Sequence, residues 1–262
     1  MKSFYLLMVL GFFWLSRFQA EAASTLVVTY QGAGVQTSAV GSSFVYNFNS
    51  LGTGVTTSVS WTGWGGSGTF DRVNISDASQ FGGAGGNGRY LFANGSNVST
   101  LTLNSPVSYF GMWWSAGDSG NVLDFYNGSN LIISFSSSIL SGLPTGFNGN
   151  PNSAFSGQNS GEKYAFLNFF IQNGDRIDRI VARGSNFESD NWTLRDPAYG
   201  LVAGDASTLP GTPVAQYNVT SGGTTTITDP SQMNTASVPE PSSGGLFIAG
   251  MAVLAALRRR KA

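Results

Sequence analysis

The strongest constraint on this chain is a period of two. Apolar residues recur at every second position in short runs, and no stretch sustains the spacing of an amphipathic helix. Phe44, Tyr46 and Phe48 alternate with Val45, Asn47 and Asn49, and Leu26, Val28 and Tyr30 alternate in the same way upstream. Successive side chains of a strand point to opposite faces, so each run reads as a half-buried strand. Val98–Leu103 places Leu101 and Leu103 on one face and Val98, Thr100 and Thr102 on the other. After Pro106, Tyr109–Trp114 is apolar on both faces and reads as a central strand. Trp113 and Trp114 must then face opposite ways, one towards the core and the other exposed or under a loop.

Turn chemistry divides the runs. Asn127-Gly128 favours the positive φ angles of a tight turn and predicts a hairpin of Val122–Tyr126 with Leu131–Phe135. Asn173-Gly174 predicts that Tyr164–Ile171 pairs likewise with Ile177–Ala182. Between them, Ser141–Gly161 is a long loop of Gly, Asn, Ser and Pro, the kind that rims a sandwich and carries recognition. Gly82-Gly83-Ala84-Gly85-Gly86 is a second, low-complexity loop. A last strand near Asn186–Leu194 closes the domain. Roughly ten short strands with Gly-rich turns predict an all-β fold, a single jelly-roll-like β-sandwich. Beyond it, residues 201–237 shift towards Ser, Thr, Gly and Pro and read as a spacer. Ala215–Val219 and Thr224–Thr228 are spaced to add one more hairpin there.

The two ends carry targeting features. Lys2 precedes an apolar run from Phe4 to Leu15, shorter than a bilayer span, and small residues follow at Ala20 and Ala22. Residues 1–22 therefore read as a signal peptide with an apolar helix, cut by signal peptidase after Ala22, which leaves a sandwich domain over residues 23–200. At the other end, Val238, Pro239, Glu240, Pro241 and Ser242 precede an uncharged stretch, Gly244–Leu257, and then Arg258, Arg259, Arg260 and Lys261. As a helix rising about 1.5 Å per residue, that stretch spans roughly 20 Å, short of the roughly 30 Å hydrocarbon core. It suits a temporary transmembrane hold. The basic cluster stays inside, leaving the prolines at the outer face of the inner membrane in an extended conformation suited to a protease.

This order of motif, short helix and Arg cluster over residues 238–262 resembles the PEP-CTERM sorting signal of bacterial exosortase substrates. The resemblance implies removal of the tail by exosortase, a membrane enzyme of exopolysaccharide-producing Gram-negative bacteria. It further implies delivery of the mature protein to the cell surface or extracellular matrix. The middle is similar to a group of exosortase-dependent surface proteins with a sandwich of this size. Tyr109–Trp114, Asp118, Asn121 before Val122, Asp178-Arg179-Ile180-Val181 and Phe187–Trp192 carry that similarity. The group implies no activity.

Composition narrows the chemistry. The chain has no Cys and no His, which removes disulfides, thiol nucleophiles, imidazole bases and the usual zinc ligands. A formal net charge of −1 with no basic run before the tail argues against a nucleic-acid partner. Glu162 and Glu188 stand in no glycosidase motif, so no enzyme is expected and no catalytic residue is assigned. Glu188 and Asp190 share a strand face and are candidates for a structural Ca²⁺, the alternative being solvated surface acids; otherwise no cofactor is expected. Trp61 and Trp64, beside Gly63, Gly65 and Gly66, are candidates for an exposed sugar-stacking platform, weighed against core packing. The leading expectation is a structural or adhesive surface protein, with a carbohydrate-binding module for exopolysaccharide as the alternative and ice binding as a more distant third.

Overall fold

Alternation becomes strand wherever a run can lay its apolar face on a neighbour. The computed structural model describes residues 24–63, 67–117, 119–172, 174–197, 208–220 and 223–227. Its strands are β1 (Ser24–Tyr30), β2 (Ser43–Tyr46), β3 (Gly54–Trp61), β4 (Gly68–Asp77), β5 (Arg89–Ala93), β6 (Ser99–Val107) and β7 (Tyr109–Ser115). They continue with β8 (Val122–Asn127), β9 (Asn130–Ser136), β10 (Ala165–Gln172), β11 (Ile177–Arg183), β12 (Phe187–Arg195), β13 (Thr212–Thr220) and β14 (Gly223–Ile227). All belong to one 14-stranded sheet in the order β14-β13-β1-β10-β7-β12-β5-β4-β6-β11-β8-β9, with β2 beside β12 and β3 beside β4.

The sheet curls into two layers that share one core, giving the all-β, sandwich-like fold expected. The front layer runs from β14 to β12 and the back layer from β4 to β9. The short β5 joins them, pairing with β12 through Leu91–Ala93 and with β4 through Arg89–Leu91. From the front come Leu26, Val28, Phe110, Met112, Trp114, Leu167, Phe169 and Trp192; from the back, Phe70, Leu101, Ile180, Leu123, Phe125 and Phe135. Rings meet across the layers, Phe169 with Phe125 at 4.9 Å and Phe135 at 5.0 Å, and Trp192 with Phe70 at 5.4 Å. Offset and edge-on pairs of this kind add to the area they bury.

The β8–β9 hairpin forms as the Asn-Gly pair predicts, with Gly128 at φ 61°. β7 lies between β10 and β12 with every residue buried, Trp114 in the main core and Trp113 on the other side beneath loops. The second expected hairpin does not form. β10 pairs with β1 and β7 in the front layer, whereas β11 pairs with β6 and β8 in the back. The reason is burial: Ala165–Ile171 is covered on both faces and needs a central place, while β11 keeps one half-exposed face. The crossover between them is pinned at Asp175, whose N–H donates to Ser24 Oγ (2.9 Å) and whose carboxylate accepts Asn127 Nδ2 (2.8 Å).

β12 is an inner strand of the front layer and does not close the domain. Within the segment read as spacer, β13 pairs with β1 from Thr212 to Val219, and β14 pairs with β13. Ala215 and Tyr217 of β13 enter the core, so the sandwich extends past residue 200.

Candidate functional site

The outward face of the front layer is covered by loops. Two apolar clusters lie there: Val27, Tyr109 and Phe170 beneath Val40 and Leu209, and Trp113, Ala116, Tyr164 and Phe166 beneath Ala84. A polar chain threads the first. Ser38 donates to Tyr109 Oη (2.6 Å), Tyr109 donates to Asn168 Oδ1 (2.8 Å), Asn168 Nδ2 donates to Thr29 Oγ1 (3.0 Å), and Thr29 donates to the Pro210 carbonyl (2.5 Å). Every hydroxyl proton has an acceptor, as burial of Asn168 and Thr29 requires.

Asn and Gln side chains stitch the covering loops to one another. Asn150 Nδ2 donates to the carbonyls of Ser79 (3.3 Å) and Gln80 (3.1 Å), and Asn152 Nδ2 to that of Gly83 (3.1 Å). Gln36 bridges, donating to Asn152 Oδ1 (2.7 Å) and accepting the Gly85 N–H (2.6 Å). The Ser141–Gly161 loop thus lies across the face instead of merely rimming it. The glycine-rich loop owes its path to two missing side chains. A Cβ on Gly82 would meet the Tyr90 ring at 2.5 Å, and one on Gly83, at φ 95°, would meet Ala78 Cβ at 2.5 Å.

Glu188 and Asp190 do share a face, but they are not solvated acids: they are 4% and 2% exposed. Asp190 accepts the Ala84 N–H (2.8 Å) and the Asn191 N–H (2.7 Å), clamping the glycine-rich loop to β12. Desolvation pushes its carboxyl up to about 7 against the opposing pull of those N–H groups. Asn191, at φ 50°, forms an irregularity where the β12–β7 register shifts between Asp190 and Thr193.

Where the loop cover ends, over β4, β5 and β12, a cleft of about 200 Å³ opens. Ser76, Tyr90, Phe92 and Glu188 line it from the strands and Asn186 from the position just before β12, with Phe81 and Glu162 added from the two covering loops. Glu188 is paired across the ladder with Phe92 and Ser115. Glu162 accepts a hydrogen bond from Asn159 Nδ2, which also bonds Tyr164 Oη. Among the described residues that line it, none is basic. The negative field shows in the neighbouring phenols. Burial raises the pKa of Tyr90 and Tyr164 above the ordinary value, and the charge of Glu188, joined at Tyr164 by Glu162, raises both further. Of the lining residues, sequence reasoning had singled out only Glu188 as a site candidate. The alternation of Tyr90 and Phe92 shortly after the glycine-rich loop is a sequence signal that could have marked the aromatic part of the lining.

The sugar platform expected at Trp61 is not there. Trp61 is 0% exposed, stacked on Phe70 (6.3 Å, 5°) and beside Tyr46 at 5.4 Å, because its place on β3 turns it inwards opposite Gly68. Trp64 lies outside the described residues, as do Asp118, Ala20, Ala22, Val238–Pro241, Arg258–Lys261 and the two terminal segments expected to be helical. Two further residues of the middle-domain resemblance do structural work: Asn121 donates to the Asn186 carbonyl, and Arg179 lies 3.8 Å from the centre of the Tyr126 ring. Among the described residues no group of three or more Asp or Glu gathers as metal ligands, and no helix is long and apolar enough to cross a membrane.

The family model for the PEP-CTERM protein-sorting motif matches residues 237–261. No curated protein matches the chain. The motif marks the chain as an exported protein directed to exosortase and processed at the membrane.

Proposed function

We propose that the chain is a non-catalytic surface or matrix protein of a Gram-negative bacterium, delivered as a folded sandwich once exosortase has removed its tail. The sorting motif at residues 237–261 carries this reading. Its support in the domain is the use to which acids are put. Asp190 clamps a loop, Asp124 pairs with Arg183 at 2.7 Å, and Asp178 accepts the Gly128 N–H of the hairpin turn at 2.6 Å. These carboxylates hold the framework. The adhesive role falls to the loop-covered face, where long loops converge on a rigid sheet. Replacing Pro239, Glu240 and Pro241 together with Ala should leave the tail attached and the protein in the membrane fraction. Unchanged mass and release of the exported form would refute the assignment.

A further inference from the structure

We propose that the cleft between β5, β12 and the covering loops binds a cationic amino-sugar unit of an extracellular polysaccharide. Three properties of the lining lead there. First, its charged groups are negative: Glu162 and Glu188 both line it and, among the described residues, no Lys or Arg does. A carboxylate pair in a partly desolvated cleft attracts a cation and repels uronic acids and phosphates. Second, its walls are aromatic. Phe81 is 41% exposed and Phe92 half-buried, surfaces suited to the apolar face of a pyranose and to an ammonium group above a ring, with the buried Tyr90 behind them. Third, Ser76 and the Tyr90 hydroxyl place hydroxyl groups in the lining, beside the remaining hydroxyls of a polyol.

Size and chemistry select among occupants. A cleft of about 200 Å³ lies below the roughly 300–1,000 Å³ of sites for drug-sized ligands, so it takes a single ring of a longer chain. Ca²⁺ requires about six to eight oxygens, and aromatic walls cannot supply them. A neutral sugar would use the rings and gain nothing from the negative field. The site is also framed for a fixed ligand. Glu188 sits on β12, Tyr90 and Phe92 on β5, and Asn159 orients Glu162. The inference goes beyond the surface-protein reading and is independent of the sorting step, because the variant altered at Pro239, Glu240 and Pro241 leaves the cleft untouched.

The test measures binding of a glucosamine oligomer to the full chain in mild detergent by calorimetry, beside its N-acetylated and neutral glucose counterparts. Saturable binding of the glucosamine oligomer is expected, weakening as salt rises, with the other two at least about tenfold weaker. Glu162→Gln and Phe81→Ala should each weaken it about tenfold or more, while Tyr126→Ala on the opposite layer should not. Glu188→Gln should abolish it. If that buried substitution unfolds the domain, the Glu162 and Phe81 variants decide alone. Equal binding of all three oligomers, no saturable binding, or indifference to both of those variants would overturn the proposal. So would a Ca²⁺-dependent rise in Tm lost in Glu188→Gln, cleavage of the oligomer into new reducing ends, or tighter binding of a Lys-rich peptide.

Discussion

The two outward faces of the sandwich are built from the same kind of strand and end up as different materials. On the back layer Ser60, Thr69 and Thr102 stand exposed in one cross-strand row, and charge is handled pairwise. Arg183 forks onto Asp124 at 2.7 and 3.1 Å, and Arg179 covers the Tyr126 ring. On the front layer the equivalent positions hold Thr29, Asn168, Trp113, Glu188 and Asp190, all buried. Loops account for the difference. Once the segments at 79–88 and 148–164 lie down on a sheet, polar strand residues lose water and must find partners in the protein, which turns a solvated face into a connected network. A ligand cleft arises at the edge of such a network, because there rigid strands, buried charge and solvent meet.

Substitutions can break this contrast, and the largest effect should come from the aromatic residue under the cover. Trp113→Ala, which empties the cluster with Tyr164 and Phe166, should cost about 3–5 kcal/mol in chemical denaturation, whereas Tyr126→Ala on the bare face should cost about 1 kcal/mol or less. Comparable losses at the two positions would erase the distinction. Next in size is a pH effect peculiar to the covered face. The Asp190 carboxyl titrates near 7 in the folded protein against 3.8 ordinarily, so the native state binds the proton more tightly. Its contribution to stability is full below about pH 4 and is lost as pH rises to about 7, by up to about 4 kcal/mol. Thermal melts across this range should show the decline, and Asp190→Asn should flatten it.

Asn168→Ala should cost about 2–3 kcal/mol, since Tyr109 loses its buried acceptor and Thr29 a donor. Native-state hydrogen exchange should then speed up in β1 and β10 before the back layer responds. The smallest effect belongs to the back layer: Arg183→Ala should cost about 1 kcal/mol, a compromise between its own 46% exposed side chain and an Asp124 side chain only 6% exposed beneath it. A loss as large as that of Asn168→Ala would show that the stranded Asp124 carboxylate, and not the exposed guanidinium, sets the cost on this face.

Local signals were legible where the physics is local. β1, β7 and the β8–β9 hairpin follow from alternation, a doubly apolar run and one Asn-Gly pair, each contained in a few residues. Strand partners are not local. Asn173-Gly174 looked like the same turn as Asn127-Gly128, yet β10 and β11 part because one is buried on both faces and the other on one. The residues of the spacer were underrated for a related reason. β13 is short of large apolar residues, and its place beside β1 rests on main-chain pairing, with Ala215, Tyr217 and the partly buried Val214 as its core contacts.

The site divides along the same line. That Glu188 and Asp190 share a face is a matter of period two, and the sequence alone settled it, along with the β class and the sorting motif at the end of the chain. Whether that face meets water depended on Ala84, 106 positions from Asp190 in sequence, coming down to donate its N–H. Trp61 was likewise assigned its side by the pairing of β3 with β4. Periodicity states how side chains alternate, and only tertiary packing decides which of the two faces is covered, because covering is done by segments distant in sequence whose docking no local pattern records.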